Sequence, residues 1–241
     1  MIARRVVLLA LMLGATCPAA AADSAAAMAV TGVELHGKPA PTGRVFVLIH
    51  GMAGSTRAER YTRLGDAVRG EFPDASVLLL DWSAAARPEM VGFLPNPMSV
   101  ARRIDAVAAS AADAVTALGV SGDRITVVGE SFGVYVGAEI ARRIGGVQRI
   151  VALNAANRLG GYAPTDLTRV AASSFSVVTR SVFDTRQSIA EENRVLVCPP
   201  EMNAIEQHAT GVRLATEMLS SGDRSWFREA SDYRALALAG G

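Results

Sequence analysis

Cysteine is almost missing from this chain: Cys17 and Cys198 are the only two in 241 residues. Cys17 falls in an N-terminal stretch that reads as a removable leader, which leaves Cys198 without an intrachain partner. A disulfide framework is therefore excluded, and the fold must stand on its hydrophobic core. Histidine is nearly as scarce. His36, His50 and His208 are dispersed and form no zinc-ligand cluster, so no metal or other cofactor is expected. The formal net charge is only +1, and the absence of a basic excess excludes an electrostatic nucleic-acid partner. Internal repeats and low-complexity linkers are also lacking. No apolar run after the leader is long enough to span a bilayer.

Apolar residues are plentiful. Half the chain is hydrophobic, rich in alanine and glycine, which indicates a globular domain with a real core rather than a disordered chain. Arg4 and Arg5 precede the apolar run Val6 to Leu13, and small residues then lead through Ala20, Ala21 and Ala22. This three-part pattern predicts a secretory signal peptide over 1–22, cleaved before Asp23, and hence a secreted or periplasmic bacterial product. Gly14-Ala15-Thr16 ahead of Cys17 lacks the large aliphatic residue expected of a lipidation site. Without Arg4 and Arg5 the charge is about −1, from 22 basic and 23 acidic residues. Residues 23–241 are expected to form one domain.

Several apolar runs read as buried strands: Arg44 to Ile49, Ala75 to Leu80, Ile125 to Gly129, Val147 to Leu153, Phe175 to Val178 and Arg194 to Val197. A short edge strand is expected over Val30 to Leu35. Helical periods lie between the strands, over Glu59 to Phe72, Val100 to Leu118, Val134 to Ile144 and Ala209 to Leu219. Continuous apolar strands alternating with helices predict a mostly parallel α/β sheet covered on both faces. Ala84 to Pro97 has few regular signals. Its Met90, Phe93 and Leu94 either line a pocket and contact an acyl chain or make simple core contacts.

The stretch Ile125 to Gly133, Ile-Thr-Val-Val-Gly-Glu-Ser-Phe-Gly, is the most informative. It predicts strand, sharp turn and helix with Ser131 at the apex. Gly129 and Gly133 remove side chains that would collide with neighbouring elements, which is the requirement of a nucleophile elbow. His208 is the only histidine downstream of Ser131. It follows the last strand and opens a helix, so it is the expected base. His50, in His50-Gly51-Met52 after an earlier strand, is expected to shape a loop. The amides of Met52 and Phe132 are expected to hold an oxyanion. The orienting acid is open: Asp184, beyond the Phe175 strand, is the first choice, and Asn154 is the alternative orienter. Glu191 and Glu192 are reserves, and Asp166 is more distant.

His50-Gly51, Asp81-Trp82-Ser83 and Gly-Glu-Ser-Phe-Gly, each after a strand, resemble the α/β-hydrolase superfamily. More narrowly, over about Arg44 to Leu219, they resemble the pancreatic and lipoprotein lipase family in a compact bacterial form. The resemblance implies an α/β-hydrolase fold and a serine esterase working through an acyl-enzyme on small-molecule or lipid esters, with contact at a membrane surface. Departures accompany it. Where the family carries an acid, this chain has Asn154. The disulfide-bounded lid and lipid-binding tail are absent, which favours short or medium acyl esters. Transfer of the acyl group to another alcohol, a catalytically silent envelope-binding protein on the same scaffold, and an interaction protein are the other readings.

Overall fold

The computed structural model describes residues 32–157, 166–179, 185 and 187–196. Its centre is a seven-stranded sheet in the order β1-β3-β2-β6-β7-β8-β9. The strands are β1 (Glu34–His36), β2 (Val45–Ile49), β3 (Ser76–Asp81), β6 (Ile125–Glu130), β7 (Val147–Leu153), β8 (Ala171–Thr179) and β9 (Glu192–Leu196). Every pairing in the sheet is parallel except that of the edge strand β1 with β3. The expected mostly parallel α/β architecture is therefore present, and the early edge strand is described at Glu34–His36, the expected start at Val30 lying outside the described residues.

The two faces of the sheet are buried under different helices. Phe46 and Leu48 of β2 face one way and pack with Tyr61, Leu64 and Val68 of α1 (Glu59–Glu71). Val45, Val47 and Ile49 face the other way, toward α4 (Ile104–Ala117) and α5 (Phe132–Arg143). This alternation is the period-two geometry of a strand. It requires an apolar residue at every position, which is why β2 reads as an unbroken run. Ala108, Ala111 and Ala112 of α4 and Ala138 and Ala141 of α5 are all buried in this second layer. Small side chains let helices approach closely, which compensates for the scarcity of aromatics.

Three segments differ from the sequence reading. Ala84 to Pro97 is ordered into a helical turn, α2 (Ser83–Ala86), and a hairpin of β4 (Glu89–Val91) with β5 (Leu94–Asn96). The long helix expected over Val100 to Leu118 is two helices, α3 (Pro97–Ala101) and α4. At the junction, Arg103 turns its guanidinium back to the carbonyls of Ala85 and Arg87 and to Glu89, a tertiary pull that periodicity does not contain. β8 begins four residues before Phe175, because Ala171 and Ser173 pair with Val147 and Arg149 although they are not bulky. The signal peptide, the C-terminal helix over Ala209 to Leu219, Asp184 and His208 lie outside the described residues.

Candidate active site

The sheet order reverses direction at β2, which pairs with β3 on one side and β6 on the other. Loops leaving the carboxyl ends of such a pair diverge to opposite faces and open a crevice between them. His50-Gly51-Met52 leaves β2 there, and Ser131 leaves β6.

Ser131 joins β6 to α5 with φ 52° and ψ −121°, outside the regions that an L-residue favours. Its amide donates to Leu153 O at 2.9 Å, which holds the turn against the end of β7. Both flanking glycines are sterically required. A Cβ on Gly129 would lie 2.6 Å from Val134 Cα, and one on Gly133 would lie 2.5 Å from the carbonyl oxygens of Ile49 and His50. The first glycine lets the helix fold back on its own strand, and the second lets it pass over the end of β2. The elbow expected from sequence is thus present around Ser131, which is 8% exposed.

The loop after β2 lies directly against this turn. A Cβ on Gly51 would come 2.8 Å from Ser131 Cβ and 3.0 Å from Glu130 O. His50, 1% exposed, anchors the loop. Its Nδ1 donates to Gly51 O at 2.9 Å, and its Nε2 accepts from the Trp82 amide at 3.3 Å. Trp82 Nε1 donates back to His50 O at 2.8 Å, and the two rings stack with centroids 5.5 Å apart. Burial lowers the His50 pKa, outweighing the opposing pull of the Gly51 carbonyl, Asp81 and Glu130. His50 is therefore a neutral imidazole with both nitrogens engaged, one as donor and one as acceptor. It shapes the loop, as expected.

Asp81 completes the bracing on that side. It accepts from Thr56 Oγ1 at 2.8 Å and from the Ser83 amide at 2.8 Å. Partial burial pushes its carboxyl up, but the Ser83 and Thr56 hydrogen bonds outweigh this and hold it at about 2.

A cluster that sequence reading missed lies on the other side of Ser131. Glu130 accepts from Tyr61 Oη and from Arg60 Nε and Nη2. Burial, then the Glu130 charge, raises the Tyr61 pKa well above its ordinary value. The pull of Glu130 likewise raises Arg60, against the opposing effect of burial. The cluster ties α1 to the residue preceding the elbow serine. Glu130 is about seventy positions from both partners, so no local pattern marks it.

Asn154 follows β7 directly, beside the elbow. It is fully buried (0% exposed) with φ 47°, and its amide donates to Val177 O at 2.7 Å. The turn is fastened further by Tyr135 Oη donating to Ala156 O and by the Thr185 amide donating to Ala155 O at 2.8 Å. Thr185, buried, brings the chain after β8 back to this corner.

The reserve acids lie elsewhere. Asp166 caps a 3₁₀ turn (Leu167–Arg169) ahead of β8, accepting from the Thr168 amide at 3.1 Å and its hydroxyl at 2.7 Å. Those bonds lower its pKa, and its place before β8 is at the amino end of the sheet. Glu191 and Glu192 stand at the start of β9. Glu192 is in register with Phe175, Val151 and Val128, three residues short of the Ser131 level and so roughly 10 Å back along the sheet. Met90, Phe93 and Leu94 are exposed on the β4–β5 hairpin. Among the described residues no group of three or more His, Cys, Asp or Glu could hold a metal ion.

No protein-family model matches the chain, and no curated protein matches it. Solved structures do. A lipase-esterase related protein from Clostridium acetobutylicum aligns over 80% of this chain and 99% of its own, with TM-score 0.50 and 11% identity. A protein of unknown function from Agrobacterium tumefaciens, grouped with the α/β hydrolases, aligns over 86% of this chain and 92% of its own, with TM-score 0.50 and 15% identity. At such identities the likeness speaks for architecture and not for chemistry, and it supports no particular lipase subfamily. With its parallel sheet, helices on both faces and a serine at the turn between β6 and α5, the chain has the α/β-hydrolase fold.

Proposed function

We propose that this protein is a serine hydrolase that cleaves carboxylic esters of short or medium acyl length through an acyl-enzyme. The observation that carries the reading is Ser131, held at positive φ in the crevice between β2 and β6 with the Gly51 turn against it. His208 is the base. It takes the hydroxyl proton as Ser131 Oγ attacks the ester carbonyl carbon, and gives it to the departing alkoxide. Water then repeats the sequence on the acyl-enzyme, releasing the acid and restoring Ser131. The Met52 and Phe132 amides face the developing oxyanion. Phe132 is the first residue of α5, so its N–H has no intrahelical acceptor. Asp184 orients His208, with Asn154 the alternative. The leader over 1–22 places the activity in the periplasm or the medium.

The test is labelling with a fluorophosphonate, followed by peptide mass spectrometry. A single adduct on Ser131 is expected, lost in Ser131→Ala together with roughly 10⁴-fold or more of the turnover. Folded protein without that adduct overturns the reading. Rates across a series of acyl lengths test substrate size, and activity confined to long-chain emulsions refutes the short-acyl preference. Products formed with an added alcohol separate hydrolysis from acyl transfer. A second reading, a catalytically silent binding protein, is favoured by the neutral side chain of Asn154 immediately after β7. It predicts ligand binding without turnover.

A further inference from the structure

The β4–β5 hairpin displays what most folds hide. Met90, Val91, Phe93 and Leu94 are exposed at its tip, Phe93 by 86%, and Met98 is exposed just beyond. Every residue of β4 is exposed, so the ribbon lies at the surface. An isolated two-stranded ribbon is marginal in water, yet this one has a built base. The Glu89 amide donates to Ser99 Oγ at 2.9 Å, and Ser99 Oγ donates to Asn96 O at 2.6 Å. Arg103 grips Glu89 at 2.6 Å and Arg87 O at 2.8 Å. A polar clamp thus holds an apolar tip in solvent, and contiguous apolar surface of this kind marks a docking site.

The charges beside the hairpin identify what it fits. Arg87 precedes β4, and Arg102 follows α3; both are exposed. Arg57 and Arg87 line a cavity of about 530 Å³ with Ser55, Ser83 and Asp81. Among the described residues, none of Arg57, Arg87 and Arg102 is ion-paired. Asp81 is the one carboxylate in that cavity, so its two arginines leave an excess of positive charge, and Glu89 is paired with Arg103. An apolar tip flanked by unpaired cations is complementary to a layer with an anionic surface and an apolar interior. We propose that the β4–β5 hairpin docks on an anionic phospholipid surface, its tip entering the acyl layer and Arg57, Arg87 and Arg102 meeting the phosphates. The proposal is independent of the chemistry at Ser131.

The test is co-sedimentation with vesicles of phosphatidylcholine mixed with phosphatidylglycerol, against phosphatidylcholine alone, using the processed protein over residues 23–241 and its Ser131→Ala variant. Both proteins should bind the mixed vesicles in preference, and added salt should weaken the binding. Phe93→Asp should lower partitioning at least about tenfold, and Arg87→Gln or Arg102→Gln about fivefold each. Phe93→Trp should gain emission that brominated lipid quenches. Circular dichroism on heating should show Phe93→Asp unfolding with the wild type. A marked fall in its unfolding temperature would mean that the tip packs on its own chain, overturning the proposal. So would a dimer in sedimentation velocity that Phe93→Asp dissociates, binding that survives Phe93→Asp, or no preference for the anionic vesicles.

Discussion

Gly51 and Ser131 lie so close that one added methyl group on the glycine would stand 2.8 Å from Ser131 Cβ. Neither neighbour can yield cheaply. Ser131 is held by the hydrogen bond from its amide to Leu153 O, and Glu130 O, 3.0 Å from the same point, is backbone. Gly51→Ala should therefore displace the elbow and destabilise the fold by about 1–3 kcal/mol, the usual cost of overpacking. Urea unfolding measures the loss. Esterase turnover should fall more steeply than stability, because the displaced loop also carries the Met52 amide.

The orienter is decided by a pair of substitutions. Asp184→Ala should lower turnover by roughly 10⁴-fold, or about 5–6 kcal/mol, with fluorophosphonate labelling retained. Near-full activity in Asp184→Ala, with most of it lost in Asn154→Ala, would assign the role to Asn154. A gain from Asn154→Asp would point the same way.

Acid should weaken the fold in two stages. Burial lowers the His50 pKa below its ordinary 6.5, so the unfolded chain takes up this proton first. The His50 contribution is whole above 6.5 and declines as pH falls toward the lowered value. Asp81 is depressed from 3.8 to about 2. Its contribution is whole above 3.8 and is lost as pH falls through about 2, roughly 2 kcal/mol in all. Thermal unfolding across acid pH measures both stages. His50→Gln should flatten the first and Asp81→Asn the second.

Glu130→Ala should release two partners at once. The Arg60 guanidinium and Tyr61 hydroxyl lose their shared acceptor, at a cost of about 1–3 kcal/mol. With the carboxylate gone, the Tyr61 phenol should ionise at lower pH. Ultraviolet difference titration of the chain's four tyrosines should show one of them shifting.

Local chemistry made some of this molecule legible before folding and kept the rest hidden. β2, β3, β6 and β7 announce themselves because both faces of each are buried, leaving continuous aliphatic runs. The elbow announces itself because close backbone approach admits only glycine at 129 and 133. β8 opens on Ala-Ala-Ser-Ser, whose pairing is dictated by β7 rather than by its own side chains. The interruption between α3 and α4 comes from Arg103 reaching sideways to another segment. Apolar residues ordinarily mean burial, so an exposed Phe93 contradicts the premise of the reading. The same limit applies at the site. Ser131 and His50 sit in motifs, whereas Glu130 is joined to Arg60 and Tyr61 only by the fold, and spacing alone does not choose among several carboxylates for an orienter.

Ala53, Ser131 and Asn154 share one peculiarity: each is a non-glycine residue with φ near +50°, and each follows the carboxyl end of an adjacent strand, β2, β6 or β7. Such a backbone costs about 1–2 kcal/mol at Ala53 and Ser131 and less at Asn154, whose residue type tolerates it, and all three positions fall along one rim of the sheet. Stability is then unevenly spread through the molecule. Amide hydrogens at this rim should exchange with solvent through local openings that leave the middle of the sheet closed, so the end carrying Ser131 yields first while the strands beneath it hold.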